Sequence, residues 1–309
     1  MKVIVESTSS GLVQFLEERL PSDCHVRMVT AEDLPQEIVD ADVLVPGHMK
    51  IDSELLEKAG RLRLIQCGAG YDNVDLQASS LNRIYVANTP EVNAISVAEH
   101  VFALILALSK RLVWIDVSMK SGRWEKPRIL LSELAGKTLG IVGLGNIGIE
   151  VAKRGLVFGM RVFSFRRRPI VPEGLDVTLV DLPTILCESD FVSIHVPLTE
   201  STRGMFGEEE FRLMKPTAFL INTSRGGIVD ERALYSALVE NRLAGAALDV
   251  FEEEPLPADS VLRRLDNVIL TPHIAGRTFE ALQRRYLLFW ENIMRVYEGA
   301  MPSNLVNRS

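Results

Sequence analysis

Cysteine is scarce in this chain, and the spacing of the few residues present excludes several roles. Cys24, Cys67 and Cys187 are odd in number and far apart, with no C-x-x-C pair among them. A disulfide framework or a zinc site of the usual spacing is therefore not expected, and we predict no metal site. Such a chain fits a reducing compartment best, so we expect a cytoplasmic protein.

Positive charge and long hydrophobic runs are also lacking. The 34 Lys and Arg residues are outnumbered by 41 Asp and Glu residues, which gives a formal net charge of −7. This balance argues against nucleic acid or an anionic membrane as a partner. The most apolar stretch, residues 97–108, contains Glu99 and His100 and is shorter than the roughly 20 residues that cross a bilayer. Because the N-terminus also lacks the apolar core of a signal peptide, we expect a soluble protein with no membrane partner.

Short apolar runs alternate with helical patterns along the chain, whose 309 residues suggest two domains. Strands that alternate with helices imply a parallel sheet covered on both faces. From Gly136 onward the alternation contains six strands, the number found in a complete dinucleotide-binding fold. Between the two sets, the pattern predicts one long helix from about Ser96 to Met119. We therefore predict an α/β protein with two doubly wound parallel-sheet domains.

A glycine-rich segment follows the first strand of the second set. Residues 143–148 read G-L-G-N-I-G, which is the G-x-G-x-x-G pattern. In this pattern Gly143 permits a tight turn, Gly145 lets the backbone approach a pyrophosphate, and Gly148 lets the helix pack close to the strand. The exposed N–H groups at the start of the helix favour phosphate. An apolar strand precedes the motif and an apolar-faced helix follows it. Because of this context, the motif specifically predicts a dinucleotide-binding site.

The next strand ends in a cluster of arginines. A site that prefers NAD places an acid at the tip of this strand, where it binds the ribose 2′-hydroxyl, whereas an arginine there suits the 2′-phosphate of NADP. Here Arg166, Arg167 and Arg168 follow the strand, and the acid is missing. The alternative is a solvated charged turn, because charge runs usually are that. The position within a dinucleotide unit favours the cofactor interpretation, so we predict NADP(H) in preference to NAD(H).

Three side chains that could carry chemistry follow three successive strands of the second set. Arg225 lies in N-T-S-R-G-G, Glu254 in D-V-F-E-E-E-P, and His273 in T-P-H-I-A-G. Taken alone, each has an ordinary interpretation: a surface ion pair, a solvated acidic run and a structural histidine. Ligands of such folds bind beyond the carboxyl ends of the strands, so the joint placement of the three favours a site.

The chemistry of ketone reduction gives these three residue types a reason. A nicotinamide delivers a hydride, and the protein must deliver a proton, which a histidine can hold near neutral pH. Glu254 would stabilise the imidazolium of His273 and orient its ring. Arg225 could bind a carboxylate through two parallel hydrogen bonds and polarise the adjacent carbonyl.

These residues and several further segments resemble those of the D-isomer-specific 2-hydroxyacid dehydrogenases. The likeness covers nearly the whole chain: C-G-A-G-Y-D-N-V-D from Cys67, N-T-P from Asn88, V-A-E-H from Val97, G-K-T-L-G-I-V-G from Gly136, H-V-P-L-T from His195, and the three segments above. It implies a flavodoxin-like substrate domain formed by residues 1–97 and 280–309, and a Rossmann cofactor domain formed by residues 98–279. It also implies a homodimer that uses the long helix and the loop around Trp124.

The resemblance implies roles for single residues. Arg225, Glu254 and His273 would be catalytic, with Arg225 and His273 also contacting the substrate, and the backbone of Ala69 and Gly70 would hold the substrate carboxylate. Asp249 would contact the nicotinamide carboxamide, and residues 195–197 would line the adenine side. The expected cofactor-binding residues are Gly143, Leu144, Gly145, Asn146, Ile147, Gly148, Arg166, Arg167, His195, Val196, Pro197, Thr202, Thr223 and Asp249.

The arginines after the second strand are similar to those of the NADP-dependent glyoxylate and hydroxypyruvate reductase branch. We therefore predict reduction of a small 2-oxo acid, hydroxypyruvate or glyoxylate, to the D-2-hydroxy acid or glycolate. One alternative is an NAD-dependent D-3-phosphoglycerate-type or other D-2-hydroxyacid dehydrogenase, although residues 45–50 lack the Arg of the phosphoglycerate branch. An alternative of another class is a dinucleotide-sensing binding protein similar to the C-terminal-binding corepressors, whose long flanking regions we do not expect here.

Overall fold

The computed structural model of the chain describes residues 1–7, 10–124, 130–167 and 170–307. They form two compact units, one from Met1–Asn93 with Thr278–Ser309 and the other from Ala94–Arg277. The predicted functional division of the chain, with a substrate domain and a cofactor domain, stays a prediction. Among the described residues, no helix is both long and apolar enough to cross a membrane.

The first unit is built around a five-stranded parallel sheet. Its elements along the chain are β1 (Lys2–Glu6), α1 (Ser10–Glu17), β2 (His25–Val29), α2 (Leu34–Glu37), a 3-10 turn (Ile38–Asp40), β3 (Val43–Val45), α3 (Ser53–Glu57), β4 (Leu64–Gln66), α4 (Leu76–Leu81) and β5 (Tyr85–Ala87). The strand order is β2-β1-β3-β4-β5, and every pair is parallel. This 2-1-3-4-5 order is that of the flavodoxin-like fold.

The second unit contains a seven-stranded parallel sheet. Its elements are α5 (Ala94–Ser109), α6 (Leu112–Lys120), β6 (Thr138–Val142), α7 (Asn146–Val157), β7 (Arg161–Phe165), β8 (Thr178–Leu179), α8 (Leu182–Glu188), β9 (Phe191–Ile194), α9 (Glu208–Leu213), β10 (Phe219–Asn222), a 3-10 turn (Gly226–Ile228), α10 (Glu231–Val239), β11 (Gly245–Leu248), a 3-10 turn (Val261–Arg264) and β12 (Val268–Leu270). The last helix, α11 (Phe279–Tyr297), belongs to the first unit.

The order of strands in the second sheet locates its ligand site. The sheet reads β12-β11-β10-β9-β6-β7-β8, so the chain leaves β6 in one direction and returns to its other side at β9. This is the Rossmann order extended by one strand, and ligands of such sheets bind where the order reverses, beyond the carboxyl ends of the strands. The predicted fold class, two doubly wound parallel-sheet domains, is confirmed.

Each sheet is covered on both faces by apolar side chains. In the first unit, Phe289, Ile293 and Val296 of α11 pack against one face with Val3 and Val5 of β1. In the second unit, α5 packs on one face and α8 to α10 on the other. Several helices begin at an acidic or hydroxyl side chain that accepts a backbone N–H bond of the first turn. These caps are Asp52, Asp75, Asp181, Asp230 and Thr278.

The single long helix expected from about Ser96 to Met119 is wrong, because the structure has two helices there. Arg111, between α5 and α6, has a left-handed backbone with φ of +46°. That conformation is costly for a residue with a Cβ, and it ends the helical hydrogen-bond ladder. The guanidinium of Arg111 then lies 4.5 Å from the centre of the Trp114 ring, a cation–π contact that favours the bend.

Candidate active site

A histidine and a glutamate meet beyond the carboxyl ends of β11 and β12. Nδ1 of His273 lies 2.7 Å from Oε2 of Glu254, and the two side chains remain 41% and 36% exposed. The other carboxylate oxygen of Glu254 accepts the backbone N–H of Phe251 at 3.1 Å. The glutamate is thus held at both oxygens, and its contact fixes the Nδ1 side of the imidazole.

Asp249, at the end of β11, holds the backbone that carries His273. Its carbonyl oxygen accepts the N–H of His273 at 2.8 Å, and its carboxylate accepts the N–H groups of Ile274 and Ala275 at 2.9 and 2.8 Å. His273 has φ of +51°, and successive N–H groups around such a residue converge on one acceptor. The Asp249 side chain is buried, and its predicted contact with a nicotinamide carboxamide stays a prediction.

Arg225 is presented by a turn that Asn222 shapes. The side-chain oxygen of Asn222 accepts both the N–H and the hydroxyl of Ser224, at 3.1 and 2.8 Å, and its Nδ2 donates to the carbonyl of Arg225 at 3.0 Å. The Arg225 guanidinium donates through Nη1 to the carbonyl of Ser224 at 2.8 Å. Asn222 is the last residue of β10 and is 1% exposed, so the turn starts from a fixed point of the sheet.

The turn of Arg225 packs directly on the segment of Glu254. A Cβ on Gly226 would collide with the backbone of Phe251, so only glycine allows this approach. Phe251 is the residue whose N–H binds Glu254. The structure therefore brings the segments of Arg225, Glu254 and His273 to neighbouring strand ends of one sheet.

The glycine motif lies where the order of strands reverses. Gly143 has φ of +103°, and a Cβ on it would collide with the carbonyl of His195, the residue after β9. A Cβ on Gly148 would collide with the carbonyl of Gly143, so α7 starts close against the turn. Gly145 faces open space and, with Asn146, is exposed at the start of α7. Leu144 is buried and Ile147 half-buried.

The residues after β9 form a compact loop beside the glycine motif. The Nε2 atom of His195 lies 2.8 Å from Oγ of Ser193, and desolvation lowers the pKa of His195 to about 3, so its imidazole is neutral at pH 7. The Val196 side chain lies against Gly143. Thr202 donates its hydroxyl to the carbonyl of Pro197 at 2.6 Å.

Three further predicted cofactor residues have unlike surroundings. The hydroxyl of Thr223, after β10, is buried and has no hydrogen-bond partner among the described residues. Arg166 donates to the carbonyl of Ile170, whereas Arg167 is exposed. Arg168 lies outside the described residues.

In the first unit, the predicted substrate loop is oriented by its neighbours. The carbonyl of Gly68 accepts the N–H of Thr89 at 3.0 Å, and the carbonyl of Ala69 accepts Nδ2 of Asn88 at 3.2 Å. In a trans peptide the N–H points opposite to the carbonyl. The N–H groups of Ala69 and Gly70 therefore point away from residues 88–89, as a pair of donors suited to an anion.

Three residues of the site are not among the site residues predicted from the sequence. Asn222 shapes the Arg225 turn, and Thr271 and His100 contact Asp249 and each other. An Asn at a strand end before a turn is a recognisable signal, because its side chain often binds the backbone two residues on. Among the described residues, no group of three or more His, Cys, Asp or Glu side chains could hold a metal ion.

With this geometry in view, comparison with known proteins decides the family. The family model described as D-isomer specific 2-hydroxyacid dehydrogenase, NAD binding domain, matches residues 102–275. The chain belongs to the D-isomer specific 2-hydroxyacid dehydrogenases. The resemblance inferred from the motifs is confirmed, and the protein is an oxidoreductase of this family with a nicotinamide dinucleotide as cofactor.

Relatives named as reductases are similar over most of the chain. A glyoxylate reductase of Korarchaeum cryptofilum is 45% identical over 281 residues, which are 88% of this chain and 85% of that protein. A hydroxypyruvate reductase of Thermotoga maritima is 44% identical over 278 residues, 86% of this chain and 90% of that protein. Among solved structures, a D-lactate dehydrogenase of Aquifex aeolicus complexed with NAD and lactic acid has a TM-score of 0.90 at 34% identity, with 99% of each chain covered.

Proposed function

We propose that this 2-hydroxyacid dehydrogenase reduces a small 2-oxo acid, hydroxypyruvate or glyoxylate, to the D-2-hydroxy acid or glycolate with NADPH. The observation that carries the proposal is the 2.7 Å contact between His273 and Glu254 at the carboxyl edge of the sheet, the edge at which the dinucleotide motif also lies. The similarity to a glyoxylate reductase and a hydroxypyruvate reductase supports the choice of substrates.

The residues divide the reaction between them. A bound nicotinamide cofactor would supply the hydride for the carbonyl carbon next to the substrate carboxylate. His273 donates the proton that forms the hydroxyl, and it does so from Nε2, because Nδ1 is engaged with Glu254. Glu254 stabilises the imidazolium before the transfer. Arg225 stabilises the negative charge that grows on the carbonyl oxygen, and the N–H groups of Ala69 and Gly70 hold the substrate carboxylate.

The cofactor site fits a dinucleotide on two observations. The exposed turn at Gly145 and Asn146 leaves space and N–H donors for a pyrophosphate at the start of α7. The buried hydroxyl of Thr223 lacks a partner among the described residues, and a buried polar group without one is costly. We assign Thr223 to the cofactor, together with Asp249, Thr202 and residues 195–197.

The preference for NADPH rests on the end of β7. Arg167 is exposed there, and Arg166 uses part of its guanidinium on the carbonyl of Ile170 while a guanidinium offers five N–H donors in all. Both can therefore serve a 2′-phosphate. Such charge-assisted hydrogen bonds are about twice as strong as those between neutral groups.

Product analysis tests the proposal. Purified protein is incubated with NADPH or NADH and either hydroxypyruvate or glyoxylate, and the product is resolved by chiral chromatography while oxidation of the cofactor is followed. We expect D-glycerate or glycolate in amounts equal to the NADPH consumed. Consumption of NADH alone would favour the NAD-dependent alternative. Tight dinucleotide binding without turnover of any 2-oxo acid would favour a dinucleotide-sensing binding protein.

We also propose a cytoplasmic homodimer formed through α6 and the segment that follows it. Leu112, Val113 and Val117 of α6 and the nearby Trp124 are between 53% and 72% exposed, which is unusual for side chains so close along one segment. A second copy of the chain would bury them. Light scattering should give twice the chain mass of 34.4 kDa, and Val117→Glu should lower it. A monomeric wild type would contradict the dimer.

A further inference from the structure

A network of side chains ties the proton donor's loop to helix α5. Thr271 Oγ1 lies 2.6 Å from Oδ1 of Asp249 and 3.1 Å from Nε2 of His100. The same Nε2 lies 3.7 Å from Asp249 Oδ1. Asp249 is fully buried, and the side chain of His100 is 20% exposed. The network therefore lies beneath the loop that carries His273.

The direction of each hydrogen bond follows from the donors present. A carboxylate only accepts, so the single hydroxyl proton of Thr271 points to Asp249. Toward His100 the hydroxyl can then only accept, so Nε2 of His100 must carry a proton and donate it. His100 thus supports Thr271, and Thr271 is one of three donors to the carboxylate of Asp249, with Ile274 and Ala275 as the others.

Asp249 in turn fixes an unfavourable backbone. His273 has a left-handed φ of +51°, a conformation that costs a residue with a Cβ about 1 kcal/mol or more. The N–H groups of residues 273–275 all bind Asp249, through its carbonyl or its carboxylate. Loss of one donor to the carboxylate leaves a buried charge less satisfied and the loop free to relax. The relaxation would move the imidazole away from Glu254.

We propose that Thr271 and His100 are positioning residues for the proton donor His273, acting through Asp249. This inference rests on the proposed reductase function. Neither side chain is required to touch the substrate. They keep the Nε2 atom of His273 in line for the transfer, and displacements of about 1 Å in such a group can cost about 100-fold in rate.

The test uses matched pairs of variants in the full-length protein. Thr271→Val keeps the shape and removes the hydroxyl, while Thr271→Ser keeps the hydroxyl. His100→Leu removes the donor, while His100→Gln keeps a side-chain N–H at similar reach. Thr138→Val is the control, because Thr138 is also buried and hydrogen-bonded, to Arg161, at the opposite end of the sheet.

Two readouts separate positioning from general destabilisation. We expect Thr271→Val and His100→Leu to lower kcat for 2-oxo acid reduction by about 10- to 100-fold, with the KM for NADPH within about twofold of wild type. Hydrogen exchange at the amides of residues 273–275 should become faster by about threefold or more. Thr271→Ser, His100→Gln and Thr138→Val should stay near wild type on both counts.

Two results would overturn the proposal. One is a kcat for Thr271→Val equal to that of Thr138→Val, and the other is unchanged amide exchange at residues 273–275. If Thr271→Val does not fold, the two His100 variants decide by the same criteria. A wild-type protein that reduces no 2-oxo acid contradicts the proposed function instead, and amide exchange, which needs no turnover, still tests the network.

Discussion

Oε2 of Glu254 lies 2.7 Å from Nδ1 of His273, although 18 residues separate them in the sequence and they follow different strands. In the proposed reaction, this pair assigns Nδ1 of His273 to Glu254 and Nε2 to the substrate. It also places a negative charge where it favours the protonated imidazole, which is the form that a reduction consumes.

His273→Gln should remove most of the turnover. Glutamine keeps a side chain of similar reach but cannot release a proton, so kcat for 2-oxo acid reduction should fall by about 100-fold or more. The Kd for NADPH, measured by fluorescence titration, should change little because the dinucleotide motif lies after other strands. Full activity in this variant would remove His273 from the role of proton donor.

Glu254→Gln should lower the rate of reduction. The amide oxygen can still accept a hydrogen bond from Nδ1 of His273, but the negative charge beside the imidazole is removed. We expect kcat for 2-oxo acid reduction to fall by about tenfold or more, with the Kd for NADPH within about twofold of wild type. A kcat equal to that of wild type would mean that Glu254 only orients the ring.

The double variant Arg166→Ala, Arg167→Ala should raise the KM for NADPH and leave that for NADH nearly unchanged. The 2′-phosphate is the only group that distinguishes the two cofactors at this end, and two charge-assisted contacts would be lost. Arg232→Ala on α10, also an exposed arginine, is the matched control. Equal effects on both cofactors would show that these arginines do not bind the 2′-phosphate.

His195 should make the protein less stable in acid. Desolvation lowers the pKa of His195 to about 3, whereas an unfolded histidine titrates near 6.5. Between these values the unfolded chain binds the additional proton, so stability falls as pH decreases from about 6.5 toward 3, by at most about 1.4 kcal/mol for each pH unit.

His195→Gln removes this dependence. The melting temperature of the variant should therefore decrease less than that of wild type when the pH is lowered from 7 to 5. His25→Gln, at an exposed position, should behave as wild type does. The same acid-induced loss in the His195 variant and in wild type would contradict a neutral, desolvated imidazole.

The six strands that the pattern predicts from Gly136 onward are present in the structure as β6, β7, β9, β10, β11 and β12. They could be predicted because each is a short apolar run between helical segments. The two-residue strand Thr178–Leu179 is too short for any period, and the break at Arg111 is a backbone feature that no apolar pattern reveals.

The candidate site also contains some residues that the sequence predicts and others that it does not. Arg225, Glu254 and His273 could be predicted because each follows a strand, and the carboxyl ends of parallel strands lie at one edge. Two of the supports could not be predicted. His100 and Thr271 are 171 positions apart, and their contact exists only after α5 has packed on the sheet. Asn222 differs from them, because an Asn at a strand end before a turn is a sequence signal, and its amide binds the turn of Arg225.

The most direct test of the central claim is the steady-state kcat/KM for a panel of 2-oxo acids with each cofactor. We predict that hydroxypyruvate and glyoxylate are reduced best, and with NADPH over NADH by about tenfold or more, as one charge-assisted hydrogen bond of about 1.5 kcal/mol would give. A clear preference for NADH would contradict the cofactor assignment, and no turnover of any 2-oxo acid with either cofactor would contradict the proposed reaction itself.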